Sequence, residues 1–260
     1  MGYEYVKVEK RGHISIVTIN RPEVYNAVHP PLSLELDQVW NEFIGDNEQW
    51  VAVLTGAGDK AFSAGNDLKY SAQPGKYKVQ QPKSGFAGLT NRFDRTKPII
   101  AAVNGFAMGG GMETALSCDI ILASENAKFA LPEVKVGFFA AAGGVQRLSR
   151  QIGKKAALEM ILTGRSVDAK EALKLGIVND VFSQSELLDK AIEKAKVIAG
   201  NCPSSIKYSL EALNHMDQLE EMSSALEKSY ELIDLLRQTE DHKEGVSAFV
   251  EKRTPQWKNK

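Results

Sequence analysis

Cysteine is nearly missing from this 260-residue chain. Cys118 and Cys202 are too far apart for a CxxC motif and too few for a disulfide framework. A reducing compartment is expected, with both thiols serving as small core residues. Histidine is scarce as well. No two of His13, His29, His215 and His242 stand at i, i+4, and no HExxH occurs, so metal catalysis has little support and no metal site is expected. Surface and helix-cap positions suit these histidines better. The net charge is only -1, from 32 Lys+Arg against 33 Asp+Glu, which withholds the positive field that non-specific nucleic-acid binding needs. Long apolar runs are lacking too: the least polar stretch, Ile99 to Met112, is interrupted by Asn104 and by glycines and is too short to span a bilayer. Residues 1–12 alternate charged and apolar character, unlike a secretory signal, and Lys258-Asn259-Lys260 is not a peroxisomal tripeptide. A cytoplasmic protein without membrane contact is expected. Common nucleotide and nucleophile motifs fail in turn. There is no GxSxG elbow, Gly56-Ala57-Gly58 lacks the third glycine of a dinucleotide fingerprint, and Gly109-Gly110-Gly111 leads into Met112-Glu113 where a P-loop has Lys-Ser/Thr.

What is present is an ordinary globular composition, 43% hydrophobic and 25% charged, which excludes intrinsic disorder and suffices for a sizeable core. Apolar alternation around Val6 and Val8, a Lys10-Arg11-Gly12-His13 turn, then Ile14, Ile16, Val17 and Ile19 predict a hairpin. Leu32, Leu36, Val39, Trp40 and Phe43 follow helical spacing within 31–44, and Gly45 stops the run. Val51 to Leu54, Ile99 to Val103 and Ile120 to Ala123 are short apolar runs, expected as buried parallel strands in βα units. Residues 71–88, broken by prolines, glycines and glutamines, read as a long loop of the kind that often serves as a lid. Beyond about residue 142 the pattern is mainly helical, with helices expected over 169–175, 186–199, 205–216, 219–236 and 243–252.

Two segments could carry chemistry. Ala64-Gly65-Asn66-Asp67-Leu68-Lys69 follows a strand region, and Asn104 to Glu113 runs from a buried strand through three glycines into a helix. Glycines at a strand-to-helix turn admit a ligand to bare backbone N–H groups at the positive end of a helix; they equally permit tight strand–helix packing. Glu113 falls in that helix's first turn, where a carboxylate also suits the dipole, and Glu133 follows Pro132, where it could equally be a surface acid. Two carboxylates beside an oxyanion site would suit proton transfer next to a carbonyl.

At these residues the chain resembles the crotonase, or enoyl-CoA hydratase/isomerase, superfamily. The resemblance runs through Asn20-Arg21-Pro22 with Asn26-Ala27, Lys60 to Leu68, Pro98 to Gly105, Gly109 to Glu113, Cys118-Asp119, Phe129 to Glu133 with Gly137, Gly143 to Leu148, Ala169 to Ala172, and Ala248 to Arg253. It implies an α/β crotonase (ClpP/crotonase-like) fold, with a spiral core of ββα units over 1–200 and a C-terminal helical trimerisation region over 201–260. It also implies a homotrimer or a dimer of trimers and a place in fatty acid metabolism.

Carried over by position, the resemblance implies an oxyanion hole from the backbone N–H groups of Asn66 and Gly110. Coenzyme A would meet Val24, Lys60, Ala64, Lys69 and Lys252, and the acyl group Phe86, Met108, Phe138 and Phe139. Glu113 and Glu133 match the two glutamates of hydratases. Simple Δ3,Δ2-isomerases keep an acid near the second position only, and dienoyl isomerases add an aspartate where this chain has Ala141. The implied reaction is reversible syn hydration of a 2-enoyl-CoA, with coenzyme A entering as part of the substrate and no separate cofactor. A double-bond isomerase or a specialised dehydratase is the alternative, ahead of a non-catalytic acyl-CoA-binding or RNA-binding member. The chain departs from many hydratases at Phe138-Phe139-Ala140-Ala141-Ala142, where a Pro-Gly pair is usual. Ser84 to Thr90 and Pro255-Gln256-Trp257 are similar to carnitinyl-CoA dehydratases.

Overall fold

The computed structural model describes residues 2–73, 81–216 and 231–260. The hairpin forms as expected: β1 (Val6–Arg11) and β2 (Ile14–Ile19) pair antiparallel across Gly12. β2 then pairs in parallel with β3 (Val51–Gly56), the first buried run. From there the chain repeats one figure. β3 is followed by the short β4 (Ala61–Ser63) and helix α2 (Leu68–Ser71). β5 (Ile99–Val103) is followed by β6 (Phe106–Met108) and helix α3 (Gly110–Leu116). β7 (Ile120–Ser124) is followed by β8 (Lys128–Ala130), a 3-10 turn Pro132–Val136 and helix α4 (Gly144–Gln151).

The long strands stack in one sheet, in the order β1-β2-β3-β5-β7, and the short ones in a second, β4-β6-β8. Each ββα unit thus lays one strand on each sheet and advances by one position, which makes a spiral. Two further strands occur in the part of the chain where the sequence pattern is mainly helical and predicts no strand. β9 (Ser166–Asp168) closes the small sheet antiparallel to β8, and β10 (Asp180–Phe182) joins the edge of the large sheet beside β7. Three-residue strands are shorter than the alternation that reveals a strand, and their register comes from the neighbour they pair with.

The central strands β2, β3, β5 and β7 of the large sheet are buried on both faces, which is why they are nearly continuous apolar runs, whereas the edge strand β1 is mostly exposed. One face of β3, through Val51 and Val53, joins Ile14, Ile16, Ile100, Ala102 and Leu122 beneath helix α7 (Leu187–Ala199), which contributes Leu187, Ala191, Ile192 and Ala195. The other face, through Ala52 and Leu54, meets the main core, shared with the small sheet and with α1 (Pro30–Gly45). Two buried asparagines lock the turn after β3. Asn26 donates to the carbonyls of Ala57 and Ala61 at 2.9 and 2.7 Å. Asn104 donates to those of Gly56 and Gly58, both at 2.8 Å. These bonds explain two asparagines that periodicity leaves unaccounted for, because a buried backbone turn must have its carbonyls satisfied.

Helices α5 (Lys154–Thr163) and α6 (Ala169–Leu175) lead to α7, and α8 (Pro203–Met216) packs with the helix Glu240–Glu251. Of the loop expected over 71–88, residues 74–80 lie outside the described residues; so do residues 219–230 of the helix expected over 219–236. His29 is indeed a helix cap, its ring nitrogen accepting the Leu32 N–H at the start of α1.

Candidate active site

Two backbone turns meet beneath a cleft of about 570 Å³. The first carries Asn66. Gly65 takes φ +82°, its carbonyl accepts the Val28 N–H at 2.7 Å, and the Asp67 N–H donates to the Val28 carbonyl at 3.0 Å. In a parallel bridge of this kind the two neighbours of Asn66 make the ladder bonds, so the N–H of Asn66 itself points away from Val28. The second turn joins β6 to α3 at Gly109, φ +53°. Gly110 opens α3, so its N–H has no acceptor within the helix and lies at the positive end of the dipole. The turns are in contact, since a Cβ placed on Gly65 would stand 2.9 Å from the Gly110 nitrogen. Asn66 and Gly110 both line the cleft. Gly111 serves the other purpose of such a turn, close packing: a Cβ there would strike the Ser63 carbonyl.

Glu113 and Glu133 line the same cleft. Glu113, in the first turn of α3, is 4% exposed, and its Oε1 accepts the Gly144 N–H at 2.9 Å. Burial pushes its carboxyl up to about 7; the charge of Glu133 adds to the shift, while the N–H groups of Gly144 and Ala142 oppose it. Glu133 lies on the Pro132–Val136 turn beside Gly109, and burial raises its carboxyl too. Its Oε2 is buried and has no hydrogen-bond partner among the described residues. Acids so placed serve proton transfer better than stability. With a folded-state pKa near 7 against 4.5, Glu113 keeps its proton in the folded chain through a range where the unfolded chain has released it. Stability therefore falls as pH rises from about 4.5 to about 7 and levels off above. Relative to Glu113→Gln, which keeps an acceptor for the Gly144 N–H, the wild-type protein should lose about 3 kcal/mol across that range. Urea titrations of both proteins at pH 5 and pH 8 check this; a pH-independent difference would contradict it.

The remaining expected site residues divide. Ala64 lines the cleft, and its N–H donates to the carbonyl of Tyr25, next to Val24, which itself stands outside the lining. Lys69 sits on α2, directly after the Asn66 turn, and is exposed. Lys60 is exposed beside β4, and Lys252 follows the last helix; neither lines the cleft. Phe86, Phe138 and Phe139 do line it, with Phe138 and Phe139 63% and 65% exposed at its wall. Met108 is half-buried on β6 and stands outside the lining, though its carbonyl faces Gly65. Sequence reasoning missed Leu68, Lys135 and Val136, which also line the cleft. Lys135 and Val136 belong to the same turn as Glu133, and only its Pro132 start could have marked them as neighbours of the acid. Ala141, at the position where an aspartate would mark another chemistry, lines the cleft too. Among the described residues no group of three or more His, Cys, Asp or Glu is placed to hold a metal ion, and no helix is long and apolar enough to cross a membrane.

Residues 9–260 match the family model described as enoyl-CoA hydratase/isomerase. The chain is 42% identical over 251 residues to the short-chain-enoyl-CoA hydratase of Clostridium acetobutylicum, covering 95% of each. It is 41% identical over 263 aligned positions to a carnitinyl-CoA dehydratase of Salmonella paratyphi A, covering 99% of each. Among solved structures, the enoyl-CoA hydratase of Mycobacterium tuberculosis H37Rv superposes with a TM-score of 0.91 at 35% identity, over 98% of this chain and 99% of that one.

Proposed function

The chain belongs to the enoyl-CoA hydratase/isomerase family, and we propose that its cleft adds water to a 2-enoyl-CoA by the joint action of Glu113, Glu133 and two backbone N–H groups. The protein is a hydro-lyase of enoyl-CoA hydratase type, with the crotonase spiral fold. The observation that carries the mechanism is the meeting of two raised carboxyls, Glu113 buried and Glu133 half-buried, with the Asn66 and Gly110 turns in one cleft.

The thioester oxygen lies between the N–H groups of Asn66 and Gly110. As water attacks Cβ, electron density moves onto that oxygen, and each donor stabilises the enolate by about 3 kcal/mol. Glu113, whose Oε1 already accepts the Gly144 N–H, takes a proton from the water. Glu133, whose Oε2 faces no donor, holds a proton and delivers it to Cα. The charge of Glu133 adds to the rise of the Glu113 carboxyl, so a proton on one acid favours the charged form of the other. The cycle ends with the proton on Glu113 and the charge on Glu133, and exchange with solvent resets them. No step calls for a metal or redox group. Coenzyme A would lie along Val24, Ala64 and Lys69, with Lys60 and Lys252 near its phosphates, and the acyl group against Phe86, Phe138 and Phe139.

A specialised dehydratase is the same chemistry run toward water loss. Ala140-Ala141 stands before Ala142-Gly143-Gly144 where many hydratases have a rigid Pro-Gly, and with the exposed Phe138 and Phe139 beside it this favours an acyl group other than a plain linear chain. Adding the protein to short linear, branched and betaine-bearing 2-enoyl-CoA thioesters, and following loss of the conjugated-thioester absorbance, tests the function and ranks the substrates. No loss with any of them, while coenzyme A esters still bind, would favour a binding protein. Residues 201–260 would form the contact of a homotrimer or a dimer of trimers in the cytoplasm, in fatty acid metabolism; the exposed Leu213, Leu235 and Val246 supply apolar surface for that contact. A monomer by light scattering would contradict the assembly.

A further inference from the structure

Arg21 and Asp67 have no part in the proton transfers, yet the fold buries them together directly behind the oxyanion turn. Arg21 Nη1 stands 3.1 Å from Asp67 Oδ2, and the two side chains are 12% and 11% exposed. The same nitrogen donates to the Ala27 carbonyl at 2.6 Å, one residue before the Val28 that brackets Asn66. The other oxygen of Asp67, Oδ1, accepts the Tyr70 N–H at 3.0 Å and so caps α2. Asn66 is therefore held between Gly65, tied to Val28, and Asp67, tied at once to Val28, to Arg21 and to α2.

Arg21 is itself fixed. Its backbone N–H donates to Asn26 Oδ1 at 3.0 Å, and its guanidinium lies over the Tyr5 ring at 5.7 Å. Tyr5 meets His29 edge-on at 4.6 Å, and His29 meets Tyr70 edge-on at 5.1 Å. A row of side chains from the residue before β1, the α1 cap and α2 thus runs on from Arg21.

We propose that the Arg21–Asp67 pair is a positioning device that holds the Asn66 N–H at the angle the thioester oxygen requires. The inference rests on the assignment of Asn66 and Gly110 as the oxyanion hole. Stability alone does not call for such a pair, because apolar residues of similar volume often serve a buried site as well or better. Direct charge stabilisation does not explain it either: the carboxylate of Asp67 cancels the charge of Arg21 at contact distance. What the pair supplies is direction. An oxyanion donor acts only if it is aimed before charge develops, and a displacement near 1 Å can cost about 100-fold in rate.

The test uses Asp67→Asn, which keeps the Tyr70 cap but turns an N–H donor toward Arg21, and Arg21→Lys, which keeps the charge. Each is assayed for hydration of a short 2-enoyl-CoA. Each is also bound to butyryl-CoA carrying a 13C-labelled carbonyl, which has no double bond to hydrate, and the carbonyl stretch is read by difference infrared spectroscopy. In the wild-type protein the stretch should fall on binding. In Asp67→Asn it should return toward the free value, with kcat down roughly 30- to 100-fold and KM within about 3-fold. Arg21→Lys should recover part of both. A retained low stretch in Asp67→Asn would overturn the positioning role, as would loss of kcat only in proportion to unfolded protein. If the wild-type stretch does not fall, the oxyanion assignment itself is wrong, a different result from failure of the positioning role. If Asp67→Asn is too unstable to assay, Asp67→Glu and Arg21→Lys decide by the same two readouts.

Discussion

Glu113→Gln and Glu133→Gln should each lower the hydration rate of a short 2-enoyl-CoA by about 1,000-fold, with little change in KM. Positioned acids and bases contribute roughly 10²- to 10⁴-fold, and here each acid does work the other cannot do in its place. Glutamine keeps the shape of the side chain and can still accept the Gly144 N–H that Glu113 Oε1 accepts at 2.9 Å. The α3–α4 contact therefore survives, and the loss reports proton transfer rather than packing. The stability result makes the distinction sharper. At neutral pH Glu113→Gln should be the more stable protein, because it no longer ionises an acid that burial holds up to about 7. A variant that is more stable and nearly inactive is the signature of a strained functional group. Steady-state rates measured beside urea midpoints for the same preparations provide the check; near-wild-type turnover in either variant would remove that glutamate from the mechanism.

Gly65→Ala carries the second large effect, and it acts through the backbone. Gly65 holds φ +82°, which an alanine adopts only with strain. The added methyl group would also meet the Met108 carbonyl and stand 2.9 Å from the Gly110 nitrogen. Both neighbours are backbone, so nothing can swing aside, and relief comes only by parting the Asn66 turn from the α3 turn. The two N–H groups then no longer converge on one oxygen. Loss of a single oxyanion donor costs roughly 10²- to 10³-fold in kcat, and the expected loss here is at least that. Strain and collision together should also cost about 2 to 3 kcal/mol of stability. Activity and thermal midpoint, measured on the same sample, test both. Wild-type kcat in a folded Gly65→Ala protein would mean that these turns do not bind the reacting carbonyl.

Much of this was readable from the chain, and the reasons differ by element. The long strands and α1 reveal themselves because each buries several residues in a regular period, as Leu32, Leu36, Val39, Trp40 and Phe43 do. The short strands β4, β6, β8, β9 and β10, three residues each, are too brief to show a period; their partners define them. At the site, Gly109-Gly110-Gly111 before Glu113 is conspicuous because so many glycines are costly unless backbone is used or closely packed, and the structure has both uses, at Gly110 and Gly111. That Glu133 would share a cleft with Glu113, twenty positions earlier, followed from the resemblance and not from local pattern. The part played by Asp67 was hidden for a similar reason: its partner Arg21 lies on the turn after β2, and only the fold brings them within 3.1 Å.

Hydration of a short 2-enoyl-CoA in deuterium oxide, with the product examined by proton NMR, bears most directly on the central claim. One deuterium at Cα, placed syn to a new hydroxyl at Cβ, is the predicted product of water addition by Glu113 and Glu133, which line the same cleft. Deuterium at Cα of a 3-enoyl product with no hydroxyl, the mark of double-bond migration in which a proton leaves Cγ, or unaltered substrate, would contradict it.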